Sequence, residues 1–477
     1  MAGRTNGRRW LAAAILVGLS AFLSGSYCSY RGYYVPGGAG AASAPTTIGP
    51  VSAFASIFVD GDEFGTGSAT ITMDGSAASE PALRIGQVAT VTGAPGGSAI
   101  TIATYSRLAG PVAAIDRSAG TVTILGQTVR ITGDTIVDAG VAPTDVGGLA
   151  LGATVAVDGY RTSTGLIASR FDLVSAARAA RVGGVVAQLD GLHQTFTLAG
   201  TTVSFATLGS LPAGVTTGSY VIASGSVQSA ALTPTLTATQ LAPMTESRAG
   251  GSGAAGVVHG AITRFASLAD FDVAGQPVTT TASTSYVEGA ASSLAGNVEV
   301  EVAGTYDSSG RLDATSIDIA PAAVVRVVGP VGALDASVAT ITVAGITLAT
   351  DAHTRWDDRG VLQLRTFRFA NLAVGDWVEV RGVATGSRRA NAHVLERRVQ
   401  RATGLIELQD IPAAVASPSL TLTGVDVNGH AAILTDVNGQ LLTLATFFSL
   451  APGRVVRATG TLAADGSFVA QTLALRQ

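Results

Sequence analysis

The side chains able to do chemistry are few and far apart. The five histidines are His193, His259, His353, His393 and His430, and no two have the HxH or HxxxH spacing that brings ligands together locally. The single cysteine, Cys28, excludes an intrachain disulfide framework and any thiolate-rich metal site. No Gly-x-Ser-x-Gly elbow marks an activated serine, and no glycine-rich phosphate loop of the P-loop or dinucleotide type is present. The reading is therefore no catalytic residue, no metal ligand set and no cofactor, with a metal site assembled across units as the minor alternative.

The densest acidic cluster is Asp60-Gly61-Asp62-Glu63. Its chemistry could be calcium binding or general acid/base work. It lacks the spaced ligands and terminal glutamate of a calcium loop, and reads as a hairpin turn. Asp426-Val427-Asn428-Gly429 and Asp436-Val437-Asn438-Gly439 repeat each other, and Asn-Gly between apolar runs likewise predicts hairpins.

One run of charge could hold an anion. Arg388, Arg389, Arg397, Arg398 and Arg401 fall close together near Trp356, Phe367, Phe369 and Trp377. A basic groove with stacking aromatics is how OB-like barrels take single strands or oligosaccharides. The plainer reading is the solvated face of a closing strand, where charge protects an edge.

What must position these residues is a repeat with three glycine landmarks. Opening glycines are Gly49, Gly110, Gly183, Gly260, Gly329 and Gly404; hairpin glycines are Gly61, Gly126, Gly200, Gly275, Gly345 and Gly424. A closing bracket follows at Gly86/Gly93, Gly152/Gly159, Gly218/Gly225, Gly296/Gly304, Gly375/Gly382 and Gly453/Gly460. Such a period marks an array of one supersecondary unit. Within a unit, Asn297-Val298-Glu299-Val300-Glu301-Val302 and Asp376-Trp377-Val378-Glu379-Val380-Arg381 alternate with period two, predicting antiparallel strands with a wet outer face. Gly126-Gln127 and Gly275-Gln276, glycine first, predict type II′ turns.

Five strands are counted per unit, with a variable segment between the third and fourth (Thr132 to Leu151 in the clearest copy). The fold class is all-β, a tandem array of about six small five-stranded OB-like β-barrels after an N-terminal signal helix. The units are read at 48–106, 107–176, 177–245, 256–322, 323–400 and 401–477, with a linker at 246–255. Sequence neighbours are expected to pack end to end.

The totals agree with this. The chain of 477 residues exceeds one hydrophobic core, and 47% hydrophobic against 13% charged residues predicts folding rather than disorder. All 29 bases are arginine against 33 acids, a balance that argues against general nucleic-acid binding. Arg4, Arg8 and Arg9 precede an apolar run from Leu11 to Leu23, the layout of an export signal over 1–26, followed by a Gly/Ala/Pro/Ser tether over 27–47. Leu23-Ser24-Gly25 resembles the start of a lipoprotein box, but Ser26 and Tyr27 separate it from Cys28, the residue that would carry the lipid.

The strings GPVSAFASIFVDGDEF and GPVAAIDRSAGTVTILGQTVRI…LALGATVAVDGYRTSTGLIASRFDLV resemble a family of bacterial exported repeats described as a domain of unknown function (family number 5666). The resemblance implies OB-like units and export, and supplies no catalytic residues. The expected role is a non-enzymatic binding or scaffolding module of the cell envelope, in the periplasm or at the cell surface, with envelope proteins or glycans as partners. The runner-up is a binder of an acidic glycan or nucleic acid at the arginine groove. A hydrolase would require histidine and carboxylate side chains to converge in one cleft.

Overall fold

The computed structural model describes residues 43–476 apart from 139, 142–144, 163, 178, 228–231, 244–249, 401 and 402. The leader, Cys28 and Arg401 lie outside the described residues, as does most of the tether. Strands dominate; the one α-helix among the described residues, Leu444–Leu450, has seven residues. Among the described residues no helix is long and apolar enough to cross a membrane.

The clearest unit shows the plan. Leu108–Asp116 pairs antiparallel with Thr121–Ile124, which pairs with Gln127–Arg130. Gln127–Arg130 joins Gly165–Leu173 in parallel, Gly165–Leu173 pairs with Thr154–Thr162, and Thr154–Thr162 returns to Leu108–Asp116. Every edge is used, so the sheet closes into a five-strand barrel around Val112, Val122, Ile124, Val129, Val155, Val157 and Phe171, all buried. Two more barrels close in the same order over residues 255–320 and 325–398. Residues 180–243 follow it with a ladder at each join. At the ends of the chain one join is weaker. In 46–104 it is the single bridge Gly65↔Ser98, and in 406–475 the opening strand breaks into Ile406–Asp410 and Ala414–Ala416.

The glycine landmarks have two causes. At each hairpin the central residues are the hairpin glycine and the residue before it, and both have positive φ: Leu125 and Gly126 at 50° and 78°, Asp60 and Gly61 at 54° and 78°, and likewise at Ala199, Ala274, Ala344 and Thr423. Positive φ at both positions is a type I′ turn with glycine second, which corrects the type II′ expectation. Asn428-Gly429 is a further correction: Asn428 ends the strand Val425–Asn428 rather than turning a hairpin. The second bracket glycine sits at a β-bulge, between Asp158 and Gly159 or Arg381 and Gly382. A Cβ at Gly382 would stand 1.8 Å from the Asn391 carbonyl oxygen, so no side chain fits there.

Packing departs from the sequence order. Leu108 and Ala109 pair with Val182 and Arg181, and Arg326–Val328 pairs with Glu407–Gln409, so these sequence neighbours do join. Residues 46–48 instead pair in parallel with 256–258, more than two hundred positions along. Thr46 and Thr47, read as tether, and Ala255, read as linker, are thereby strand residues. Because barrels pack on barrels, the faces expected to be wet are covered. Glu379 and Arg381 are buried, and Glu299 and Glu301 are half-buried.

Candidate functional sites at the barrel junctions

The loop between the third and fourth strands of the 108–173 barrel, expected only to vary, is wedged between other barrels. A Cβ at Gly133 would meet the Ala323 carbonyl oxygen at 2.0 Å. Arg381 donates to the carbonyl oxygens of Gly133 and Thr135, Arg355 to that of Asp134, and Arg359 to that of Val137. Asp145 takes Arg457 at 2.6 Å, and Asp134 takes His393 Nδ1 at 2.8 Å. Burial would raise the Asp134 carboxyl, but the bond to His393 and the Arg355 charge outweigh it and hold the group down to about 2.

Beside this loop lies a cleft of about 420 Å³. Its lining includes Arg117, Arg130, Arg326, Arg381, Arg457 and Arg476, with Asp145 the one acidic member. Arg326 is held by Glu379 at 3.0 Å and Glu407 at 3.3 Å, and Arg381 by Glu396 at 3.1 Å. Arg457 binds Gln409 at 2.7 Å, yet its Nη1 is buried with no hydrogen-bond partner among the described residues. Burial, then the neighbouring Arg326 charge, lowers the Arg457 guanidinium to about 10. Arg326, Arg381 and Arg457 are each paired with a carboxylate, so the positive charge of the cleft left unpaired among the described residues is that of Arg117, Arg130 and Arg476. The larger cleft, about 620 Å³ between 108–173 and 180–243, is lined among the described residues by Gly, Ala, Pro, Thr, Ser and Val, none of them titratable.

The second junction is titratable. Asp60 projects from the hairpin turn of the 46–104 sheet, and a Cβ at Gly61 would meet Ala352 at 3.2 Å. That places Asp60 against His353 of the 325–398 barrel, with Nδ1 3.4 Å from Oδ1. The same Oδ1 is hydrogen-bonded to Nδ1 of His259, on the opening strand of the 255–320 barrel. His259 Nε2 lies 3.1 Å from Glu299, which Arg355 holds in turn at 3.3 Å; Glu301 is 3.9 Å from His353 Nδ1. Asp60, His259 and His353 each offer a ligand atom, all within 4.8 Å of one another.

Charges set the protonation of this cluster. Burial alone would raise Asp60, but His259 and then His353 bring its carboxyl far below the usual range. His259 is raised well above an ordinary imidazole because Asp60 and Glu299 outweigh its burial. The bond to Asp60 pushes His353 up to about 9. Asp62 moves the other way, up to about 6, through burial and then the Asp60 charge. The meeting of histidine and carboxylate that a hydrolase requires is present, with the groups bonded to one another and to arginine.

The anticipated arginine groove is not assembled. Arg388 and Arg389 lie at one end of the strand Arg389–Arg398 and Arg397 and Arg398 at the other, nine residues or about 30 Å away at strand rise. Arg397 is buried on Asp358 at 2.9 Å, and Arg398 binds Glu396 and Glu379, so neither is a solvated face. Arg388 bonds the Gly466 carbonyl at 3.2 Å and Arg389 is exposed. The sequence spacing of the histidines hid the second junction, since Asp60 and His353 are 293 positions apart. A weak signal did exist. Among the residues preceding the hairpin glycines only Asp60 is charged, and among those preceding the opening glycines only His259 is a histidine.

Residues 109–170, 259–318 and 328–392 match a family described as Domain of unknown function (DUF5666). These stretches coincide with the three barrels that close over 108–173, 255–320 and 325–398. No curated protein matches the chain.

Proposed function

We propose that a chain carrying this domain in tandem is an exported, non-enzymatic binding module of the bacterial envelope: six OB-like barrels, behind a cleaved signal, locked into one body that presents a cationic cleft. The observation that carries the reading is that cleft, where six arginines and one aspartate line about 420 Å³ between residues of three barrels. Its volume lies in the range of small-molecule sites. Planar guanidinium groups favour carboxylate, sulfate or phosphate groups over neutral ligands. The ligand class is therefore a small acidic glycan or similar polyanion. The apolar run behind Arg4, Arg8 and Arg9 supports export. Ion pairs such as Arg326–Glu407 across the joins support a rigid scaffold over a catalytic cleft.

Calorimetric titration with a heparin disaccharide at low salt tests the reading. Binding is expected to weaken at least about tenfold in Arg117→Ser/Arg130→Ser and to fade with rising salt. Equal binding by that variant, or no heat at all, would remove the cleft as the site.

A further inference from the structure

Asp60 is the unusual member of the second junction. Its residue is 5% exposed, and its Oδ1 serves two imidazoles while Oδ2 is buried with no hydrogen-bond partner among the described residues. Leaving a buried carboxylate oxygen unbonded is costly. Both imidazoles turn the same atom, Nδ1, toward that carboxylate, and they come from two different barrels.

We propose that Asp60, His259 and His353 bind one first-row divalent transition ion of the zinc class, which ties together the 46–104 sheet and the 255–320 and 325–398 barrels. Once the ion displaces the proton that each imidazole shares with Asp60, the donor set is two imidazole nitrogens and one carboxylate oxygen, which suits zinc and its neighbours; magnesium and calcium prefer oxygen alone. The 3.4 Å from His353 Nδ1 to Asp60 Oδ1 is close to the edge of a tetrahedron with zinc–ligand bonds of about 2.0–2.1 Å. The His259–Asp60 contact must widen from hydrogen-bond length to admit the ion.

The surroundings fit a ligand histidine. Glu299 holds His259 Nε2 at 3.1 Å, which leaves Nδ1 to face the ion, and Arg355 fixes Glu299. A carboxylate on the far nitrogen is the usual partner of a metal-bound imidazole. Glu301, 3.9 Å from His353 Nδ1, can supply a fourth oxygen. His353 is half exposed, so the ion has a way in past it.

This site is separate from the arginine cleft and its test does not depend on any anion. The mature chain, made without a histidine tag and stripped by chelator, is dialysed against zinc. Metal per chain is then read by mass spectrometry, affinity by competition with a chromophoric chelator, and Tm with and without zinc. One zinc per chain and a raised Tm are expected. His353→Gln, at a half-exposed position, is expected to weaken binding at least about tenfold and cancel the Tm rise, and Glu299→Gln to weaken it about tenfold through His259. His430→Gln, at an exposed histidine elsewhere, should change nothing. Asp60→Asn keeps a residue that tolerates the left-handed turn and should abolish binding. Should Asp60→Asn fail to fold, His353→Gln still decides. Zinc held as tightly by His353→Gln as by the natural chain, or a Tm that zinc does not move, would overturn the proposal.

Discussion

Arg326 and Glu407 face each other at 3.3 Å across a join between two barrels, their side chains 3% and 6% exposed. Arg326 also takes Glu379 at 3.0 Å, so one guanidinium sits between two carboxylates away from water, and Arg381 and Arg398 share Glu379 with it. The strands that carry Arg326 and Glu407 are paired antiparallel, and the side chains meet because the backbones do.

Removing one partner of such a set leaves the others charged and buried. Arg326→Ala is expected to cost about 3–5 kcal/mol, and Glu407→Gln less, because Glu379 still balances the arginine. Urea unfolding followed by circular dichroism measures both. A cost below about 1 kcal/mol for Arg326→Ala would mean the join is solvated.

The two kinds of positive-φ or bulge glycine should differ in cost. Gly382→Ala drives a methyl into the Asn391 carbonyl and should cost more than about 3 kcal/mol, or prevent folding. Gly200→Ala opens onto empty space and suffers only its left-handed backbone, about 1 kcal/mol. Equal thermal stability of the two variants would contradict the account of the bulge.

Asp158 gives the fold a pH dependence. Burial, then the Asp172 charge, raises its carboxyl to about 6. A raised folded value favours the folded state below the unfolded value of 3.8, and that advantage is lost as pH rises through about 6. Asp158→Asn should therefore match the natural chain near pH 4 and exceed it at pH 8, by up to about 3 kcal/mol. Melting curves at the two pH values decide it; a difference that does not change with pH would show that Asp158 does not titrate in this range.

Much of the fold was legible in the chain. Glycine spacing located the hairpins because positive φ there favours glycine, and the bulges because a Cβ would strike the paired strand of the same barrel, both conditions set within one unit. Valine alternation located the strands because one face of each fills a barrel. Alternation could not say what covers the other face. Glu379, Arg381, Arg397 and Arg398 look solvent-bound in sequence, yet they pair with charges of their own barrel, and the 108–173 loop covers Arg381. Turn type was missed for a smaller reason: Leu125 and Ala274 give no sign of positive φ until the register is known.

The order of barrels in space was not legible, because nothing local links Thr46–Ile48 to Gly256–Val258. Both clusters depend on that placement. Asp60 acquires its histidines, and the arginine cleft its walls, from strands far away in sequence. The amino-acid order by itself determined a small closed sheet repeated along the chain, since each sheet satisfies its own hydrogen bonds and core. Only the tertiary structure decided which charged outer faces meet, since that depends on burial between units rather than on spacing within one.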